Sequence, residues 1–246
     1  MDGKELFPTN KGTPQGGVIS PLLANIALHG MEERIKELSE SFNMKSSKGK
    51  QISKRDKRNS TNLIRSADDL VILHESEEAI HQCYKVIAEW LKEISLELKP
   101  SKTRIAHTLD SYKGEEKGFD FLGFHIWQYK AGKCRSGKNP KGNLLGFKTQ
   151  ISPSKKSKKR HYAKVVEVIE KHRGKSQASL IKNLNHIING WCNYFKPYQC
   201  KKVFSKMDYL IWWKLWKWGK HRHRNKGEKW LGQKYWHTIK GDNWVF

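Results

Sequence analysis

Read for the spacing of its apolar positions, the chain changes character twice. From residue 21 to about 41, Leu22, Leu23, Ile26, Leu28, Met31, Ile35 and Leu38 recur at helical intervals after a Gly-Gly turn and behind Pro21, which predicts one helix. Residues 44–60 have no period and hold seven basic residues, so a loop is expected there. Two apolar runs, Leu63-Ile64 and Leu70-Val71-Ile72-Leu73, flank Ala67-Asp68-Asp69 and predict a β-hairpin over 61–74. A second amphipathic helix is expected over 77–94, with Ile80, Tyr84, Ile87, Trp90, Leu91 and Ile94 on its buried face. Strand-like runs follow at 96–98, 103–108 and 119–129, and then a stretch rich in Gly, Lys and Asn at 130–146. Beyond Pro153 the pattern turns helical and basic, over 155–173, 176–195 and 201–218. The middle segment puts Leu180, Ile181, Leu184, Ile187, Ile188, Trp191, Tyr194 and Phe195 on one stripe, a face made to pack on a neighbouring helix. The fold class expected is α+β: an antiparallel sheet with packed helices over 1–130, a linker over 131–152 and an all-helical bundle over 153–246.

Charge narrows the partners. Among 246 residues there are 48 Lys and Arg against 24 Asp and Glu, a net +24 that would repel itself unless a polyanion compensates it. At 37% apolar the chain can still bury a core, and ten Trp are many for a merely solvated basic surface. Nucleic acid is the natural partner. Cys83, Cys134, Cys192 and Cys200 form no Cys-x-x-Cys pair, which argues against zinc and against a disulfide framework. No stretch approaches the roughly 18 apolar residues of a membrane span, and the first residues have no apolar signal core. A soluble intracellular protein with no membrane partner is expected, cytoplasmic if bacterial and organellar if eukaryotic.

Two adjacent carboxylates, Asp68 and Asp69, fall at the tip of the expected hairpin, accessible yet fixed by buried strands on either side. Phosphoryl transfer can use two divalent cations about 4 Å apart, and carboxylates must hold them. By spacing alone, an Asp-Asp turn is more often only a polar turn. Upstream, Gly12-Thr13-Pro14-Gln15-Gly16-Gly17 offers backbone N–H groups and a helix start, both suited to phosphate, with Gln15 as a side-chain amide for base or sugar. Two basic clusters, Lys155-Lys156-Ser157-Lys158-Lys159-Arg160 and the stretch from Lys217 to Lys229 with Arg222 and Arg224, are candidates for RNA phosphate. Trp191, Trp212, Trp213 and Trp216 fall at helical packing positions and are expected in the core. His221 and His223 lack partners at metal-ligand spacing.

Taken in order, the Pro-Gln-Gly-Gly loop, the Ala-Asp-Asp hairpin, the strand Phe119-Asp120-Phe121-Leu122-Gly123-Phe124 and the tail resemble the reverse transcriptases encoded by group II introns, which also act as maturases for their intron RNA. In the tail the resemblance rests on Ile187-Ile188-Asn189-Gly190-Trp191, Asn193-Tyr194-Phe195, Leu215-Trp216-Lys217-Trp218 and Lys229-Trp230. It implies part of a right-hand polymerase palm, then a helical thumb and maturase region. It further implies that Asp68 and Asp69 are catalytic and bind Mg2+, that Gln15, Gly16, Gly17 and Lys102 meet template and nucleotide, and that Leu122 and Gly123 form the primer grip.

Two departures shape the expected function. The resemblance implies an aromatic residue two before Asp68, where Ser66 stands, and a third metal-binding Asp well upstream of the Pro-Gln-Gly loop, which this chain reaches within about a dozen residues of its start. The expectation is therefore a maturase that binds group II intron RNA and assists splicing, truncated at the N-terminus, with its polymerase site incomplete. The alternatives are an active RNA-directed DNA polymerase on template RNA and DNA primer, assembled with a separate N-terminal reverse transcriptase fragment, or a non-functional remnant. No zinc-associated DNA cleavage is expected.

Overall fold

Serine caps set where four of the helices begin. In the computed structural model, which describes residues 19–45, 49–140, 142–239 and 242–246, four serine hydroxyls accept the backbone N–H three residues on: Ser53 from Asp56, Ser76 from Ala79, Ser154 from Ser157 and Ser176 from Ser179. Each such cap contributes about 1 kcal/mol and fixes a boundary that apolar spacing alone leaves open by a residue or two. The chain divides into two compact units, Met1–Ile105 and Ala106–Phe246. No helix among the described residues is long and apolar enough to cross a membrane.

The first unit runs α1 (Ser20–Ala27), α2 (Met31–Ser41), α3 (Lys54–Arg58), β1 (Asn62–Ser66), β2 (Asp69–Leu73) and α4 (Glu77–Glu93). The single helix expected over 21–41 is broken in two, because Gly30 takes φ 90°, a left-handed conformation that glycine adopts without strain. Met31 and Ile35 of α2 are buried, whereas Leu22, Leu23 and Ile26 of α1 are exposed. The loop expected over 44–60 contains the five-residue α3, started by the Ser53 cap and tied to α2 by Arg58, which pairs with Glu33 and with Glu40 (2.9 Å). The buried face of α4 is Ala79, Cys83, Ile87 and Leu91, rotated from the expected one so that Tyr84 and Ile94 lie at the rim. Small side chains at Ala79 and Cys83 let α2 and α4 approach, and burial pushes the Cys83 thiol up to about 11. Ser39 pins the hairpin's base: its hydroxyl donates to Ile35 O (2.7 Å) and accepts from the Thr61 hydroxyl (2.8 Å), both residues buried.

The second unit holds a three-stranded antiparallel sheet in the order β3 (Phe119–Phe121), β4 (Phe124–Lys130), β5 (Phe147–Pro153). Helices α5 (Lys155–Lys171), α6 (Gln177–Phe195), α7 (Lys201–Arg222) and α8 (Glu228–Tyr235) follow, then a hairpin of β6 (His237–Ile239) and β7 (Asp242–Val245). α+β is therefore the observed class, but the C-terminal region is not all-helical as expected. The segment expected to be a linker, 131–152, contains most of β5, which pairs with all seven residues of β4 from Phe124↔Pro153 to Lys130↔Phe147. The unit boundary accordingly falls at Ile105, ahead of the sheet. The strands expected at 96–98 and 103–108 form no ladder. Instead Thr108 is bonded twice to Gln128 of β4, its carbonyl accepting from Gln128 N (2.7 Å) and its hydroxyl donating to Gln128 Oε1 (2.7 Å), and His107 O accepts from the N–H of Gly118 just before β3 (2.8 Å). Gly118 is required there, since a side chain would start 2.4 Å from Ile126 O.

α5, α6, α7 and α8 share one core, with Val165, Ile169, Leu180, Leu184, Ile211, Leu215 and Leu231 all buried. Trp216 joins it and Trp212 packs against it, as expected, and Trp218, not expected there, is buried in it too, but Trp213 points outward at 42% exposure. Helix α8 reads in sequence as part of a basic tail. It folds onto the core because Gly219 lets Leu231 and Tyr235 lie directly against α7. The end of α5 is closed by α7: Trp218 Nε1 donates to His172 O (3.0 Å) and Arg222 donates to Arg173 O (3.0 Å) and to Lys175 O.

His161 on α5 lies buried, with its ring stacked on Trp191 at 4.3 Å and 10°. Burial first, and the Lys164 charge second, hold its pKa below the ordinary value of 6.5. The unfolded chain therefore binds this proton at a higher pH than the folded one, and the stability linked to it is present above pH 6.5 and lost as pH falls below it. Thermal midpoints measured between pH 7.5 and 5 should fall, and His161→Phe, which keeps the ring stack and removes the titration, should flatten that decline.

Candidate nucleic-acid interface

The hairpin tip is a two-residue turn. β1 and β2 pair from Asn62↔Leu73 to Ser66↔Asp69, leaving Ala67 and Asp68 as the turn, with Ala67 at φ 53°. A positive φ at the first central residue matches the right-handed twist of the strands. Leu63, Leu70 and Ile72 pack on the unit's core, so the strands are held while Asp68 and Asp69 stay exposed. Arg65 braces the turn from below: its Nη1 donates to Ala67 O (3.3 Å) and to Asn25 Oδ1 on α1 (3.0 Å). Arg65 was not among the residues singled out in the sequence. Its role is invisible there because its partner Asn25 lies forty residues away.

Carboxylate oxygens are the hard donors that magnesium takes, and two of them with water suffice for one ion. Among the described residues no group of three His, Cys, Asp or Glu assembles, so Asp68 and Asp69 fit the donor chemistry without completing a two-ion set. Gln15, Gly16 and Gly17 lie outside the described residues. Lys102 is exposed in the turn after Pro100, its N–H bonded to Lys99 O (2.9 Å). Asp68, Asp69 and Lys102 belong to the first unit; the remaining candidates among the described residues belong to the second.

In that second unit Leu122 and Gly123 are the two central residues of the β3–β4 turn, at φ 48° and 81°, the paired left-handed geometry of a type I′ hairpin. Both carbonyls of the turn are taken by the helices. Tyr194, near the end of α6, donates its hydroxyl to Leu122 O (3.0 Å), and Ser154, the cap of α5, donates its N–H to Gly123 O (2.9 Å). Phe124 adds three ring contacts, to Tyr194 (5.1 Å), Phe195 (4.7 Å) and Tyr198 (4.8 Å). The turn and the starts and ends of two helices thus form one body.

Directly from that body project the basic residues of α5. Its first turns carry Lys155, Lys156, Lys158, Lys159 and Arg160 and no acid. Lys155 pairs with Glu116 (2.6 Å), whose carboxyl is held below its usual range by that bond. Lys156, Lys159 and Arg160 are exposed, Lys158 is half-buried, and among the described residues none of the four meets a carboxylate. Cations at a helix N-terminus oppose the macrodipole, at about 0.3–1 kcal/mol each for exposed sites. Lys156 carries that cost in the first turn without a carboxylate partner, and Lys158, Lys159 and Arg160 add unpaired like charge beside it, a concentration that helix formation does not explain and that an anionic ligand would relieve. Arg222 is differently placed. Its guanidinium closes the α5 end and lies over the Trp218 ring at 4.8 Å, so its first duty is structural. Arg224 stays exposed, 3.5 Å from His221 Nε2.

Residues 1–126, just over half of the chain, match the family described as reverse transcriptase (RNA-dependent DNA polymerase), and residues 158–236 match the group II intron, maturase-specific domain. The chain is 25% identical to the group II intron-encoded protein LtrA of Lactococcus lactis subsp. cremoris over 276 aligned positions, covering 86% of this chain and 43% of that protein. The same figures hold for LtrA of a named strain of that subspecies. The chain therefore spans less than half the length of the curated relatives it matches. With the Asp-Asp hairpin inside the first match and the α5–α8 core inside the second, the chain belongs to the reverse transcriptase family, as one of its group II intron-encoded reverse transcriptase/maturases.

Proposed function

We propose that this chain binds group II intron RNA through its second unit and assists the splicing of that RNA. The observation that carries the reading is the first two turns of α5, where Lys156, Lys158, Lys159 and Arg160 crowd together without carboxylate partners among the described residues, Lys156 in the first turn where the helix dipole disfavours a cation. The maturase match covers this helix from residue 158 onward. In this reading α5, α6 and α7 are the thumb and maturase bundle, the Leu122–Gly123 turn is a primer-grip-like hairpin bonded to it, and residues 1–130 carry palm elements. Binding a folded ribozyme calls for phosphate contacts and stacking groups, and makes no use of Asp68 or Asp69. Exon ligation by a group II intron transcript should be faster with the protein present, and equally so with Asp68→Ala/Asp69→Ala protein. A double variant that binds the transcript yet loses the stimulation would contradict the reading.

A second reading is favoured by the braced hairpin tip. Held by Arg65 and by strands half-buried on the unit's core, Asp68 and Asp69 would hold magnesium, which supplies charge neutralisation at phosphate. Gln15, Gly16, Gly17 and Lys102 would then meet template and incoming nucleotide. A further carboxylate would come from outside the described residues or from a separate N-terminal reverse transcriptase part. Primer extension on an RNA template with magnesium decides it. Extension lost in the Asp68→Ala/Asp69→Ala protein supports polymerase activity, and no extension from folded wild-type protein leaves splicing assistance as the function.

A further inference from the structure

The outer face of α7 has a pattern that packing does not require. Lys202, Lys206, Tyr209, Trp213, Lys217 and Lys220 follow one another at intervals of four, three, four, four and three residues. At about 100° per residue this keeps all six within roughly 80° of the helix surface. All six are exposed, while Met207, Ile211, Leu215 and Trp218 on the opposite side are buried in the core. Tyr209 is 62% exposed and Trp213 42%, and their rings meet edge to face at 6.3 Å. Trp213 is backed by Trp212 (5.2 Å), which in turn stacks on the buried Trp216 (5.2 Å, 14°), so the outer ring is held in place from beneath. Lys220 pairs with Glu228, but Lys202, Lys206 and Lys217 have no carboxylate partner among the described residues. The single acid on α7, Asp208, sits about 100° round the helix from Tyr209.

Two aromatic rings in solvent, flanked on both sides by uncompensated lysines, are the elements with which proteins hold unpaired nucleic acid. The dimensions agree. Tyr209 and Trp213 are one turn apart, about 6 Å along the axis, and Lys206 and Lys217 are about 16 Å apart. A stacked duplex strand repeats every 3.4 Å or so and hides its base faces. A spacing of about 6 Å suits a strand whose bases are splayed apart, one lying on each ring.

We propose that the outer face of α7 is a binding track for unpaired RNA, in which Tyr209 and Trp213 each stack a base while Lys206 and Lys217 hold the phosphates on either side. The track lies inside the maturase match and rests on the RNA-binding reading for the choice of RNA as its ligand. It adds a second surface to that reading, one that takes single-stranded segments by stacking. The basic first turns of α5 take phosphate by charge alone.

The test is fluorescence anisotropy of a labelled twelve-nucleotide oligoadenylate RNA with the full chain. Tyr209→Ala/Trp213→Ala should weaken binding by roughly tenfold per ring, with the salt dependence kept because the lysines remain. Tyr209→Phe/Trp213→Phe should restore it, since each ring face returns. Affinity for a twelve-base-pair RNA duplex should be the same in all three proteins. Unchanged oligoadenylate binding in the alanine pair, with intron transcript still bound, would overturn the track and leave the RNA-binding reading standing. Failure of the wild-type protein to bind either RNA would overturn both. Tighter binding of oligodeoxyadenylate than of oligoadenylate would overturn the assignment to RNA.

Discussion

The second unit depends on what happens at Ser154. Its backbone N–H bonds Gly123 O, its hydroxyl caps α5, and Pro153 before it ends the strand that pairs along the whole of β4. One buried residue thereby fixes the left-handed turn, the last strand of the sheet and the first turn of the basic helix. Tyr194 adds a second bond to the same turn from α6. Because a type I′ turn tolerates little change of backbone, these bonds transmit position: where the helix pair goes, Leu122 and Gly123 go with it. The β3–β4 turn and the α5–α6 pair are in this way rigidly linked.

Electrostatics sets the second constraint. A net charge of +24 weakens a compact fold through self-repulsion, and the chain does little to cancel it locally at α5 and on the outer face of α7. Several cations elsewhere are engaged. Arg58 holds α3 to α2, Lys214 bonds Glu170 (2.9 Å) and so joins α7 to α5, and Arg222 closes the end of α5.

Much of this was legible in the sequence, for identifiable reasons. The Asp-Asp hairpin and α4 are legible because both present a strong period bounded by turn formers, and α5, α6 and α7 because their apolar positions keep helical spacing. The break at Gly30 was hidden because Leu28 and Met31 keep helical spacing across it. β5 was missed because Phe147-Lys148-Thr149-Gln150-Ile151 sits beside a Gly- and Lys-rich stretch and gains its identity only from β4. α8 was missed because its buried residues answer to Gly219, on another helix. At the site, Asp68 and Asp69 were readable as adjacent residues, whereas Arg65 with Asn25 and Tyr194 with Leu122 are pairs made by folding, the latter across seventy-two positions. Trp213 was assigned to the core because spacing cannot say which side of an all-round aromatic helix the core will occupy.

The central claim, that the basic start of α5 holds RNA phosphate, is tested most directly by the salt dependence of affinity for a group II intron transcript. Compared with wild type, protein carrying Gln at Lys156, Lys158, Lys159 and Arg160 should show a slope of log affinity against log salt that is shallower by about 3, as expected for four lost phosphate contacts. An unchanged slope and an unchanged affinity would mean that these cations face only solvent and that the RNA is held elsewhere.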